Sequence, residues 1–236
     1  MNPATKIFEL NPHTITESLA RGCVNRLRDE CIKNIDTIHI QSNGGYKNLQ
    51  KKCKAIFKDG TVSGLYIGEK NCLAMFVKYD EIKKMFTGAY LSKVNGEFSL
   101  YESDIRFSRH SIQRLIERLK TKHPRIEVAK AIHSQTKYAF SREAQKGINI
   151  HQKYRMPGFN DVDIALPYFE NDALLGMWFI ASTSDFYCNY VGKMVVKTFV
   201  DAEKLREPQY ESCIEQYYAQ LDSLSSGEKM QEANLI

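Results

Sequence analysis

An α+β fold is what this sequence predicts, and three observations carry the expectation. Leu19, Cys23, Leu27, Cys31 and Ile35 recur at four-residue spacing, the apolar stripe of an amphipathic helix. Met194-Val195-Val196-Lys197-Thr198-Phe199-Val200 is the most strand-like run in the chain, crowded with β-branched residues. Asp59-Gly60 and Asn95-Gly96 sit between apolar runs and signal tight hairpins. Together they predict an N-terminal α+β part over 1–100, then a 101–236 unit. That second unit reads as two helices, a mostly antiparallel sheet and a C-terminal helix, and the absence of a low-complexity linker allows the two units one shared core.

Each element follows in chain order. A helix is expected over 14–35, capped by Thr14 or Thr16. Lys47 to Phe57 reads either as a Lys-rich helix or as a strand entering the Asp59-Gly60 turn. Paired strands are expected at 62–68 and 73–77 around Glu69-Lys70-Asn71, a short helix at 80–86, and a hairpin through Asn95-Gly96. Ser108 is an N-cap for the clearest helix, RHSIQRLIERLK, which buries Ile112, Leu115, Ile116 and Leu119. His123-Pro124 ends it, and a second helix runs over 125–134. Strands are then expected at 137–141, 147–155, 161–168, 173–182, 184–190 and 193–200. A final helix over 201–221 is bent or restarted at Pro208.

Composition excludes a disordered tail, a fibrous chain and a disulfide mini-domain: 236 residues, 43% apolar, 26% charged. The net charge of +5 conceals polarity along the chain. Window 106–155 carries 13 basic residues against Glu117, Glu127 and Glu143, whereas 201–236 carries 3 against 8 acidic. Such a window either steers a polyanion to a surface or is a solvated face that the acidic tail folds back upon. The six cysteines form no compact metal pattern and read as reduced, buried thiols. No signal peptide or membrane-length apolar run is visible, so a cytoplasmic protein with no membrane association is expected.

Chemistry concentrates in the basic window. On a helix, His110, Arg114 and Arg118 fall at i, i+4 and i+8, with Glu117 in reach of Arg114. Stacked guanidinium groups need an anion, either a phosphate or a structural carboxylate. His110, in the first turn, is a candidate general base or simply a capping residue. On an expected strand, His151, Lys153 and Arg155 share one face, as a polyanion surface would. Lys197 and Thr198 point to opposite sides of the closing strand, and Arg109 and Lys137 add cations nearby. His133 and Tyr138 are placed at the border of the same groove. No phosphate loop, dinucleotide fingerprint, HExxH or GxSxG is present, and no cofactor or zinc site is expected. Asp161 and Asp163 put two carboxylates on one strand face, a pair that a magnesium-dependent nuclease could use but that solvation near a turn suffices to explain.

The string FSRHSIQRLIERL, followed by a helix, antiparallel strands and VVKTFV, resembles small bacterial His-x3-Arg-x2-Glu-Arg domains. It is similar to the barnase–EndoU–colicin–RelE group of metal-independent ribonuclease toxins over about 106–200. That resemblance implies RNA cleavage through the 2′-hydroxyl, with His110 as base. Arg114, Arg118, Lys153 and Arg155 would hold phosphate, and Glu117 and Thr198 complete the catalytic set. Arg109, Lys137, His151 and Lys197 would add nucleic-acid contacts. The alternatives are a non-catalytic module binding nucleic acid, a protein partner or an inhibitor, and a structural component of a phage or mobile element.

Overall fold

A computed structural model describes residues 10–34, 45–58, 62–139, 142–154, 164–182 and 194–233. Its first helix, α1, spans Glu17–Lys33. Thr16 stays extended and its hydroxyl accepts from the Leu19 N–H at 3.3 Å, satisfying a donor that the first turn leaves free. Ala20, Cys23, Val24, Leu27 and Cys31 form its buried stripe. The ambiguous Lys-rich segment is a helix, α2 (Tyr46–Lys58), which buries Leu49 and Cys53.

Four antiparallel strands follow: β1 (Gly64–Tyr66), β2 (Cys72–Asp80), β3 (Met85–Val94) and β4 (Glu97–Glu102). Val94 pairs with Glu97 across Asn95-Gly96, whose φ values of 52° and 92° are those a two-residue hairpin turn requires. The helix expected over 80–86 is instead the β2–β3 turn. Asp80 explains the difference, because its carboxylate accepts from the N–H groups of Ile82 (3.1 Å) and Lys83 (2.9 Å). The Asp59-Gly60 signal and the strand expected at 184–190 lie outside the described residues, as do Asp161 and Asp163.

The second half opens with β5 (Ile105–Ser108) and α3 (Arg109–Leu119). Ser108 caps α3 as expected, its hydroxyl accepting from Ser111 N–H at 3.0 Å, and Lys120 ends it in the left-handed region at φ 46°. Next come α4 (Pro124–Ala139), α5 (Arg142–Tyr154), β6 (Ile164–Glu170), β7 (Ala173–Ser182), β8 (Met194–Asp201) and α6 (Glu207–Ala233). Pro208 is the second residue of α6, where a missing N–H costs nothing.

Two expected strands, 137–141 and 147–155, are corrected to helix. Residues 137–139 close α4, and 147–154 belong to α5. Ile148 and Ile150 between polar neighbours imitate a period of two. The residues actually buried are Gly147, Ile148 and His151, spaced at three and four, because α5 lies against α6 and β6.

Among the described residues, all eight strands join one sheet in the order β1-β2-β3-β5-β8-β7-β6, with β4 beside β3. Every pairing is antiparallel except β5 with β8. Strand β5 is the hinge of the architecture: Phe107 pairs with Phe86 on one side and Val196 on the other. The sheet therefore runs from the first half into the second without a break. The resulting α+β fold carries a mostly antiparallel sheet and a C-terminal helix.

One face is covered by α1, α3 and α4, and its core draws on both halves, including Val24, Met75, Phe107, Ile112, Ile132 and Phe199. Trp178 lies at its centre, 5.5 Å from Phe107 and 4.7 Å from Phe199 between ring centroids. Each such ring contributes roughly 2–3 kcal/mol through burial. On the other face, α2 covers Leu73, Ala74 and Phe76, while Cys213 of α6 packs on Ala165 and Met177. No helix among the described residues is long and apolar enough to cross a membrane.

Candidate functional site

The expected catalytic helix exists, but its charges are committed to neighbours. Arg114 Nη1 lies 2.7 Å from Glu117 Oε2, an i, i+3 pair. Arg118 Nη1 reaches Asp201 Oδ1 at the end of β8, at 3.0 Å, with only 20% and 13% of the two side chains exposed. Asp201 also meets Lys204 at 3.3 Å. Arg109 donates to the Asn25 side chain on α1, tying the start of α3 to that helix. His110 stands exposed on the first turn. Lys197 is exposed on β8, but its carbonyl accepts from the Ser108 hydroxyl at 3.1 Å, a contact that fastens the α3 cap to the sheet. Thr198 is half-buried opposite Phe179. These contacts make α3 a packed structural helix at its base.

A cleft of about 520 Å³ opens at the C-terminal end of α3, bordered by Glu117 and Arg118. Its charged lining is Glu17, Glu117, Asp201 and Glu203 against Arg118, Lys120 and Lys204. Four carboxylates facing three cations leave no positive excess for a phosphodiester.

The second expected cluster does not form as drawn. His151 and Lys153 lie on α5, where residues two apart point about 200° away from each other. His151 is buried, whereas Lys153 is exposed and bonds Glu215 of α6 at 3.0 Å. Hydrogen bonds from Tyr154 and Lys153 hold the Glu215 carboxyl below its ordinary value. Arg155 lies outside the described residues. α3 packs on α1, β8, β5 and α4, while α5 packs on α6, β6 and α4, so the two sets of cations occupy different neighbourhoods. Lys137 is exposed near the end of α4.

Six of the thirteen basic residues of the window are paired with carboxylates in three dimensions. Arg106 pairs with Glu102, Arg114 with Glu117, Arg118 with Asp201, Arg125 with Glu30, Lys130 with Glu170 and Lys153 with Glu215. All but one of those acids come from outside the window. The acidic C-terminal segment supplies two of them, Asp201 and Glu215.

An opposite situation holds on α2. Lys47, Lys51, Lys52, Lys54 and Lys58 are all exposed, and the helix contains no acidic residue. None of the five forms an ion pair among the described residues; Lys54 lies 5.3 Å above the Tyr66 ring. Lys47, Lys51, Lys54 and Lys58 follow i, i+4, i+7 and i+11, which places them within about 60° of one another around the axis. Leu49, Cys53 and the half-buried Ile56 and Phe57 occupy the other side, against β1 and β2. The row extends roughly 16 Å along the helix. Its spacing and lack of acids were visible in the sequence, once the segment is known to be helical.

Compared with known proteins, the chain matches no family model, no curated protein and no solved structure.

Proposed function

We propose that this chain is a nucleic-acid-binding protein that holds the phosphate backbone on the lysine row of α2, without reading base sequence. One observation carries the reading: five exposed cations on a single helix with no carboxylate among them. Like charges at i, i+4 cost about 0.2–0.5 kcal/mol per pair, and a polyanion offsets that repulsion. A duplex presents a charge every ~1.7 Å of axis, so a row of this length faces ample phosphate. Phosphate contacts of this kind position a nucleic acid but carry no base information.

A nucleic acid fits better than an anionic bilayer. The apolar side of α2 is spent on the sheet, and Ala55 is the sole apolar residue it leaves exposed, so nothing large is available to insert between lipids. Phosphodiester cleavage by α3 draws less support, because Arg114 and Arg118 already hold carboxylates and the adjoining cleft is acid-rich.

The test is fluorescence anisotropy with labelled duplex RNA and duplex DNA across a salt series. Four lysine–phosphate contacts give a slope of log K against log salt near −3.6. Raising salt from about 50 to 200 mM then weakens binding roughly 150-fold. Replacing Lys47, Lys51, Lys54 and Lys58 together by Gln abolishes most of the affinity and flattens the slope. The reading fails if wild-type protein binds neither duplex at low salt, or if the fourfold variant binds with unchanged affinity and slope. RNA breakdown in chelator that is lost in His110→Ala and Arg114→Ala would return the function to α3.

A further inference from the structure

A second site lies on the opposite side of the sheet, in a pocket of about 370 Å³ between α4 and β1–β4. That volume is within the range of small-molecule sites. Apolar and aromatic groups dominate its walls: Ile67, Tyr90, Tyr101 and the His133 ring. Tyr90 can lie flat on the sheet because residue 88 is glycine; a Cβ there would come within 2.8 Å of the Tyr90 ring and 3.2 Å of Ile132.

Behind the rings, the hydroxyl groups are satisfied. Thr136 donates to the Ile132 carbonyl at 2.8 Å and meets Ser103 Oγ at 3.3 Å, and that same Ser103 oxygen accepts from Ile105 N–H at 3.1 Å. The Tyr90 hydroxyl engages Thr136 and lies 3.4 Å from His133 Nδ1. His133 Nε2 has no partner among the described residues, which leaves one polar contact within an apolar wall.

The charges around this pocket divide into committed and uncommitted. Glu102 is bound by Lys78 and Arg106. Glu69 and Lys137, both exposed, form no ion pair with any described residue. Both line the same pocket as the His133 ring, one carboxylate and one ammonium. An apolar aromatic cavity bearing one free charge of each sign is complementary to a zwitterion with a flat ring. A simple anion would leave Glu69 repulsive, and a simple cation would leave Lys137 so.

We infer that this pocket binds a free α-amino acid with an aromatic side chain. Its ring stacks against Tyr90 and Tyr101, its carboxylate meets Lys137 and its ammonium meets Glu69. The site is independent of the lysine row, since α2 covers the other face of the sheet.

Isothermal titration of the full chain tests the inference with L-tryptophan, L-phenylalanine, L-alanine, indole-3-propionate and tryptamine. L-Tryptophan and L-phenylalanine are expected to bind saturably, and L-alanine not at all. Lys137→Gln weakens L-tryptophan about tenfold while leaving tryptamine unchanged, and Glu69→Gln weakens it similarly while leaving indole-3-propionate unchanged. Both substitutions are on exposed side chains, so circular dichroism and Tm remain those of wild type. The proposal is overturned if neither amino acid gives heat at millimolar concentration, if L-alanine binds as well, or if both variants bind L-tryptophan with wild-type affinity. Selective binding of indole-3-propionate or tryptamine over L-tryptophan would overturn the zwitterion assignment as well.

Discussion

Arg118 distinguishes a structural helix from a catalytic one, and the Arg118–Asp201 pair makes the distinction measurable. At 3.0 Å and an effective dielectric constant near 20, the direct attraction is about 5 kcal/mol before desolvation is charged against it. Removing one partner of a fully buried pair costs about 3–5 kcal/mol, whereas exposed pairs couple by about 0.2–1 kcal/mol. With 20% and 13% of the side chains still exposed, the expected loss for Asp201→Asn is ~2 kcal/mol. A 236-residue chain has an unfolding entropy of about 0.5 kcal/mol/K, so Tm falls by about 4 °C. Trp178, fully buried and the single tryptophan, reports urea unfolding by fluorescence. Because Asp201 also meets Lys204, a double-mutant cycle with Arg118→Met isolates the pair. A coupling above about 1 kcal/mol is expected. Coupling under ~0.5 kcal/mol would refute the assignment of Arg118 to the framework and leave its guanidinium available for phosphate.

Three further outcomes are expected from the same framework. Gly176→Ala brings a Cβ within 2.2 Å of the Val200 carbonyl and 2.5 Å of the Phe199 ring, so it destabilises by about 3 kcal/mol, seen as a lower urea midpoint; an unchanged midpoint would contradict the β7–β8 register. Ser108→Ala removes both the α3 cap and the bond to Lys197 O and costs about 1–2 kcal/mol, whereas Ser108→Asp, which retains a cap acceptor, recovers part of the loss. Burial, and then Lys137, depress the His133 pKa below its ordinary 6.5. Its neutral ring therefore contributes stability that is present above that value and is lost as pH falls through the lower folded-state pKa. Wild-type protein loses up to about 1.4 kcal/mol per pH unit in this window from that one proton, and His133→Gln does not; parallel urea profiles at pH 7 and 5 for the two proteins would dismiss the effect.

Local order was legible where it rests on near neighbours. The α1 stripe, the Ser108 cap, the Asn95-Gly96 hairpin and the β8 strand all depend on interactions within a few residues, and each is found in the fold. Misreadings arose where a local pattern had two meanings. Asp80 supports either a helix start or a turn, and the β-hairpin it closes decides for the turn. Ile148 and Ile150 fit a strand equally well until α6 and β6 select which side of the segment is buried. The pocket could not be read at all: Ile67, Tyr90, Tyr101 and His133 come from separate parts of the chain and carry no shared spacing.

Charge draws the sharpest line between the two levels. By itself, the sequence determined the α+β class, the amphipathic helices and a strongly basic middle. It also contained the lysine periodicity of α2, because that pattern lies within thirteen consecutive residues. Only the tertiary structure decided which cations remain available. Electrostatic pairing acts through space, so Glu30, Glu170, Asp201 and Glu215, distant in sequence, are brought against the basic middle and neutralise part of it. No described carboxylate pairs with the lysines of α2, so that row of cations stays available although the linear count pointed to the middle of the chain.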